Sequence, residues 1–230
     1  MYKRQVIDRC HKQLGLRTLT VSTEPDADGK GSEFCFVLNG VKIFSMGANL
    51  VPMDNLLSRI TDQRWETIVR QAVDANFNTL RVWGGGYYPD SCFYELCDQY
   101  GLLVWQDFMV ACANIYLTSE MAEEFTQEAI CNLKRLHHHA SLALLCGNNE
   151  MEMFMAGANS ALINHRTWEF VPTYPHHITD YVKMFEYILP AIVKETAPQT
   201  YWWPASPSSG GNFDAPNDEN RGDNHYWDVW

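Results

Sequence analysis

Residues 142–150 read LALLCGNNE, five apolar residues followed by a glycine, two amides and a carboxylate. An apolar run without polar alternation marks a strand buried on both faces, and such strands belong to parallel sheets covered by helices. LLVWQDF (102–108) and TLRVW (79–83) share this form, an apolar body ending in polar groups. Helical spacing fills the gaps between them. Trp65, Ile68, Val69, Ala72 and Val73 share one face over 62–76, and Phe93, Leu96, Cys97 and Tyr100 do so over 91–100. Residues 119–138 read as a longer helix, with Glu120, Glu123 and Glu124 at its start and Lys134, Arg135 and a histidine run at its end. That order suits the helix dipole. VKIFSMGANL (41–50) and TYWWPASP (200–207) add a strand on either side. Between 150 and 179 an irregular, aromatic-rich insertion is expected. A helix over 179–196 then places Val182, Phe185, Leu189, Ile192 and Val193 on one face, with Pro190 expected to kink it.

Strands alternating with helices predict an α/β fold with a parallel sheet, either doubly wound or a (β/α)8 TIM barrel. No G-x-G-x-x-G follows the first strand, which argues against a dinucleotide site. Polar residues gather instead at strand C-termini: Asn49 and Asp54, Arg81, Gln106 and Asp107, Asn148 to Glu150, and Ser206. That rim is where barrel enzymes carry their chemistry, so a partial barrel of about five strands over 41–230 is the expected architecture. Residues 1–40 read differently. RTLTVS (17–22) and EFCFVLNG (33–40) alternate like strands around a turn-rich EPDADGKGS. They are expected to belong to a separate β domain.

The chain has 230 residues and a net charge of −11, with 46% apolar and 13% aromatic residues. That apolar content is enough for a packed core, and the acidic balance without any Lys/Arg cluster argues against nucleic acid as a partner. No apolar run approaches the ~18 residues of a membrane span. The seven cysteines form no C-x-x-C pair and are expected as reduced, buried thiols. The start lacks the apolar h-region of a signal peptide, which leans towards an intracellular location. No cofactor or metal is expected. His137, His138 and His139 point in different directions on a helix, and His176-His177 has no partner at ligand spacing.

Glu150 is the leading candidate for catalysis. A carboxyl closing a strand beside an amide can give a proton to a glycosidic oxygen while the amide holds a neighbouring hydroxyl. The competing reading is a helix cap, since amides and carboxylates at such junctions also satisfy free N–H groups. Glu152, two residues on, is expected to face away or to sit on a solvated helix face. Arg81 within an apolar strand needs a buried partner and reads, by itself, as a structural ion pair. Trp83 can stack on a sugar face or simply pack. Gly84, Gly85 and Gly86 allow close backbone approach or unusual φ at the cleft floor.

Taken together, GVKIFSMGANLVPMD, NFNTLRVWGGGYYP, LLVWQDFMVACA, CGNNE and HYWDVW make the chain resemble the β-mannosidases of glycoside hydrolase family 2. The resemblance implies that residues up to about 40 end an immunoglobulin-like β-sandwich domain and that the rest is the first part of a TIM barrel. It implies retaining hydrolysis of terminal β-D-mannose from a mannose-containing oligosaccharide. Glu150 would be the acid/base, Asn149 would bind the sugar 2-hydroxyl, Trp83 would line the −1 subsite and Arg81 would order the rim. Asp54, Asp107 and Trp227 are further substrate-binding candidates. The nucleophile, a second carboxylate about 5–5.5 Å from the first, is expected beyond Trp230, so the chain alone is expected to turn over little or nothing. The alternatives are another family 2 activity, of β-galactosidase or exo-glucosaminidase type, and a non-catalytic carbohydrate-binding protein.

Overall fold

The computed structural model describes residues 6–158 and 176–226. Their strands form two sheets. The first is antiparallel, in the order β1 (Leu19–Ser22), β2 (Cys35–Leu38), β3 (Val41–Ile43). Its β1–β2 register pairs Leu19 with Leu38, and Asn39 and Gly40 turn the chain between β2 and β3 at φ 50 and 81. The second sheet is parallel, in the order β4 (Gly47–Leu50), β5 (Thr79–Val82), β6 (Leu103–Asp107), β7 (Leu142–Cys146), β8 (Tyr201–Trp203). All four pairings are parallel. The strand order follows the chain without the reversal of a doubly wound sheet, and it is consistent with part of a barrel. The parallel sheet begins at Gly47, because Val41–Ile43 pairs with β2.

Helices α1 (Asp62–Asp74), α2 (Ser91–Tyr100) and α3 (Ser119–Leu136) connect the first four parallel strands. The N-terminus of α1 is capped by the Thr61 hydroxyl, which accepts from the Arg64 N–H, and that of α3 by the Thr118 hydroxyl, which accepts from the Met121 N–H. After β7 the chain enters α4 (Met151–Ala158), so the expected irregular stretch starts as a helix. The reason is packing: Met151 and Met155, one turn apart, are both buried against the main core. The stretch expected as one kinked helix forms α5 (His177–Val182), a π segment (Lys183–Ile188) and α6 (Leu189–Thr196). Pro190 stands at the start of α6, where its missing N–H costs little, and the preceding segment widens to i→i+5 bonding.

The parallel sheet buries both faces. Val104, Phe108, Leu142, Leu145 and Trp202 face a helix-covered core with Trp65, Val69, Phe93, Leu133 and Phe185. Leu103, Trp105, Leu144, Cys146, Tyr201 and Trp203 face the antiparallel sheet, meeting Phe36, Phe34, Leu19 and Val21. Phe34 joins the two sheets, with its ring 4.4 Å from Trp203 and 6.0 Å from Trp105. The apolar runs of the sequence are what this two-sided cover requires. β4 lies at the sheet edge and is largely exposed.

The cysteines are free, and the expectation that they are buried holds for Cys97 and Cys146 alone among them. Cys10, Cys112 and Cys131 are exposed, and Cys35 and Cys92 lie between. Cys112 and Cys131 lie on a loop and on the outer face of α3, where apolar neighbours in sequence do not translate into burial.

Candidate active site

The C-terminal ends of β5 to β8 surround a cavity of about 650 Å³. Arg81, Trp83, Trp105, Asn149, Glu150 and Ser206 reach it from the strands and their ends, and Cys112, Asp223 and His225 come from loops. The glycines behind Trp83 serve close approach. A side chain at Gly84 would sit 2.6 Å from the Phe108 carbonyl, and one at Gly85 would sit 1.9 Å from the Trp83 ring.

Asn148 takes the capping role at the β7–α4 junction. Its Oδ1 accepts from the Met151 N–H at 3.0 Å, and its amide donates to Tyr181 and to the Pro204 carbonyl. Asn149 and Glu150 are thereby left to the cavity. Asn149 is held between β6 and β8 by bridges to Ala111 and Ser206. Glu150 stands at φ 65, a left-handed conformation that is uncommon for a non-glycine residue. Its N–H donates to the Ser206 carbonyl at 2.7 Å, which holds that backbone in place. Such strain, retained in a well-tied segment, is a mark of functional sites.

Arg81 is the organising charge. It donates to both carboxylate oxygens of Asp107, at 3.2 and 2.7 Å, and to Asn149 Oδ1 at 2.8 Å. Its guanidinium lies 5.8 Å from the Trp105 ring centre. Asp107 is fully buried and also accepts from the Gly84 N–H and the Trp105 indole, so every lone pair direction is used. It does not line the cavity. Its position explains how an arginine is tolerated in an apolar strand, and the structural ion pair expected for Arg81 is present alongside the contact with Asn149.

Glu150 is held at both oxygens. His225 Nδ1 lies 2.9 Å from Oε1, and the Cys112 thiol donates to Oε2 at 3.3 Å. Burial pushes the carboxyl upward, but the His225 and Cys112 bonds and the Arg81 charge outweigh it and hold Glu150 below the ordinary glutamate range. Behind His225, Ser206 Oγ lies 3.0 Å from its Nε2 and donates to Asp223 at 2.6 Å. Asp223 also accepts from the Trp203 indole and the Ser208 N–H. Burial raises its pKa against the bonds from Ser206 and Trp203. Among the described residues lining the cavity, Glu150 and Asp223 are the carboxylates.

Ser206 was expected at the rim and lines the cavity, whereas Cys112, Asp223 and His225 were not singled out as site members. His225 opens the HYWDVW stretch and Ser206 ends the last strand, so both carried a signal; Cys112 and Asp223 lie on loops and carried none. Asp54 is not brought to the cavity. It accepts from Arg64 at 3.0 Å and lies 3.3 Å from Arg59. Trp227 lies outside the described residues. Glu152 faces away from the cavity, the first of the two expectations for it, but it is fully buried and not on a solvated helix face. One turn of α4 swings it beneath the 208–215 loop, where Oε1 accepts from the Phe213 N–H at 3.0 Å. Burial raises its pKa to about 7, outweighing bonds from Ser208 and Phe213, with Glu186 and Asp223 adding to the rise. His139 is another correction to the histidine run, since it is buried and paired with Asp98 at 2.7 Å. No group of His, Cys, Asp and Glu among the described residues is arranged to hold a metal, and no described helix is long and apolar enough to cross a membrane.

A carboxylate and an amide side by side at the C-terminal rim of a parallel sheet, over a cavity walled by two tryptophans, define the chain as an α/β protein with a candidate site where part of a barrel would carry one. No family model matches it. It is 38% identical over 228 residues to β-mannosidase B of Aspergillus niger, and 36% identical over 232 residues to that of Aspergillus fumigatus. These matches cover 97% and 99% of the chain, which spans 26% of either relative. The crystal structure of the Dictyoglomus thermophilum β-D-mannosidase superposes with a TM-score of 0.82 at 33% identity, covering 98% of this chain and 26% of that one. A Bacteroides uniformis β-glucuronidase, at 16% identity and a TM-score of 0.59 over 82% of this chain and 20% of its own, shares the fold. Over nearly its whole length the chain is similar to proteins named β-mannosidase, and it spans about a quarter of their length.

Proposed function

We propose that the chain carries the acid/base half of a retaining glycosidase site that removes terminal β-D-mannose from oligosaccharides or glycoconjugates. In this reading Glu150 transfers the proton, Asn149 binds the sugar 2-hydroxyl, Trp83 lines the −1 subsite and Arg81, anchored on Asp107, orders the rim. Residues 41–230 would then be the N-terminal part of a TIM barrel, and residues 1–40 the end of an immunoglobulin-like domain. The observation that carries the proposal is the geometry around Glu150: a carboxylate at a strand end, tied at both oxygens, opening with Asn149 on a cavity of about 650 Å³.

The lowered pKa of Glu150 bears on which step it serves unaided. An ionised carboxylate can act as general base towards water in the second half of a retaining reaction. Acting first as acid requires a proton, and a second carboxylate about 5–5.5 Å away is the charge that would raise its affinity for one. Asp223 is bound to Trp203, Ser206 and Ser208 and is not free for the nucleophile's role.

The test is hydrolysis of a panel of aryl glycosides by the full-length parent protein, in which the nucleophile is expected, and by its Glu150→Gln variant. Preference for β-mannosides, with the variant losing far more on poor than on activated leaving groups, is the expected result. Equal loss on both classes removes Glu150 from the acid/base role, and preference for galactosides or glucosaminides assigns another activity to the same site.

A further inference from the structure

Cys112 follows the Phe108–Ala111 segment at the end of β6, with its backbone at φ 51 and its N–H donating to the Asn149 carbonyl at 3.0 Å. Its thiol reaches two neighbours at once. Sγ–H donates to Glu150 Oε2 at 3.3 Å, and Sγ accepts from Asn149 Nδ2 at 3.3 Å. Asn149 Oδ1 is held by Arg81 in turn, so the amide's orientation is specified at both ends. A thiol is a weak donor and a weak acceptor, yet among the described residues it bonds both candidate sugar-handling side chains, and it lines the same cavity.

We propose that Cys112 is a positioning residue of this site, a thiol that locks the Asn149 amide and the Glu150 carboxyl into a fixed mutual orientation. The proposal rests on the acid/base reading of Glu150 for its kinetic consequence, but the contact itself does not. The residue is exposed as a whole, but its thiol is partly desolvated beside Glu150, which raises its pKa to about 11, so it stays protonated and acts as donor at neutral pH. The groups facing Glu150 are His225 at Oε1, Cys112 at Oε2, the Arg81 charge, and Asp223 across the cavity. Cys112 and His225 both favour the ionised form. Removing the thiol therefore raises the pKa of Glu150, and replacing it by a hydroxyl, a better donor with a shorter reach, returns it towards the original value.

The experiment compares the protein with its Cys112→Ala and Cys112→Ser variants by two readouts. The first is the titration of the Glu150 carboxyl, isolated as the infrared difference between each form and its Glu150→Gln counterpart. An upward shift of about half a unit or more in Cys112→Ala, with at least partial return in Cys112→Ser, is expected, the weak thiol bond being small beside the His225 contact. An unmoved carboxyl in Cys112→Ala overturns the proposal, whatever the activity. The second readout is the alkaline limb of kcat/KM on aryl β-mannosides, which should move up in the alanine variant by the same amount, with kcat falling more than KM rises. If the carboxyl shifts while no form of the full-length parent protein hydrolyses mannosides, the functional reading fails and the positioning role stands. If the mannosidase activity is present but neither readout moves, the positioning role fails alone. Circular dichroism identifies a misfolded variant, and Cys112→Gly, which relieves the positive φ, then replaces the alanine variant.

Discussion

The parallel sheet carries a buried polar cluster at each end, and the two differ in what they leave over. At the N-terminal end Asp98 pairs with His139 at 2.7 Å and accepts from the Ser141 N–H at 2.7 Å, just before β7 begins. Arg17 donates to the Ala140 and Leu142 carbonyls beside it. These contacts pin α2 and the N-terminal segment to the start of β7. At the C-terminal end Arg81 and Asp107 form an equally short pair, but Arg81 has donors to spare and passes them to Asn149 and Asn49. Glu150 pairs with His225 much as Asp98 pairs with His139, and it also takes the Cys112 thiol. Both border a cavity, of about 560 Å³ beside Asp98 and His139 and about 650 Å³ beside Glu150, but the second is walled by two tryptophans and sets a carboxylate of positive φ next to an amide. That contrast separates a structural network from a site better than the count of charges does.

The sharpest way to break the comparison is at Glu150. Glu150→Gln should lower turnover of poor-leaving-group β-mannosides by about 10²–10⁴-fold and leave the thermal midpoint nearly unchanged. A similar loss from a variant at the other end of the sheet would erase the distinction. Asp107→Ala comes next. Leaving the Arg81 charge buried without its partner should cost about 3–5 kcal/mol in urea unfolding at pH 7, and it should abolish activity by releasing Asn149.

Glu152→Gln sharpens what lies behind the rim. With its pKa raised to about 7 in the fold, Glu152 binds more protons folded than unfolded between about pH 4 and 7. Its contribution is therefore fully present at low pH and is lost as the pH rises through that window, levelling off above pH 7. Chemical denaturation from pH 5 to 8 should show a decline on the order of 2 kcal/mol in the parent that the glutamine variant lacks.

The smallest effect is expected from Asp98→Asn, about 1 kcal/mol at pH 7 with kcat/KM unaltered. Burial opposes the ionised form of Asp98, but the bonds from His139 and Ser141 outweigh it and lower its pKa. The stability it supplies is present above the unfolded aspartate value and fades as the pH falls through the lowered one. A rise in stability on acidification in the parent that the variant abolishes would contradict this sign.

Much of this was legible because buried parallel strands write themselves as apolar runs. LLVWQDF and LALLCGNNE announced both their burial and the polar ends that meet at the cavity. Glu150, Asn149, Trp83 and Arg81 lie in those strands or directly after them, and their convergence followed from strand order. Glu152 was misread because spacing on a helix tells which face a residue occupies, not what covers that face, and here the cover is a loop more than fifty residues away. Asp54 was expected at the rim from its place after β4, yet Arg59 and Arg64 lie closer and bind it. Of the three polar residues in a row, Asn148 takes the cap, which leaves Asn149 and Glu150 to the cavity, and their order in the sequence did not say which would do so.

By itself, then, the sequence determined the parallel α/β pattern, the five strands and the carboxylate–amide pair at the end of one of them, because these depend on local periodicity and on the residue types that end a buried strand. Tertiary structure alone decided the partners of that pair. Cys112, Asp223 and His225 come from loops up to 75 residues from Glu150, and loop side chains obey no period. Their approach to the carboxyl is set by how the strands pack side by side, and with it the pKa of the group on which the proposed chemistry turns.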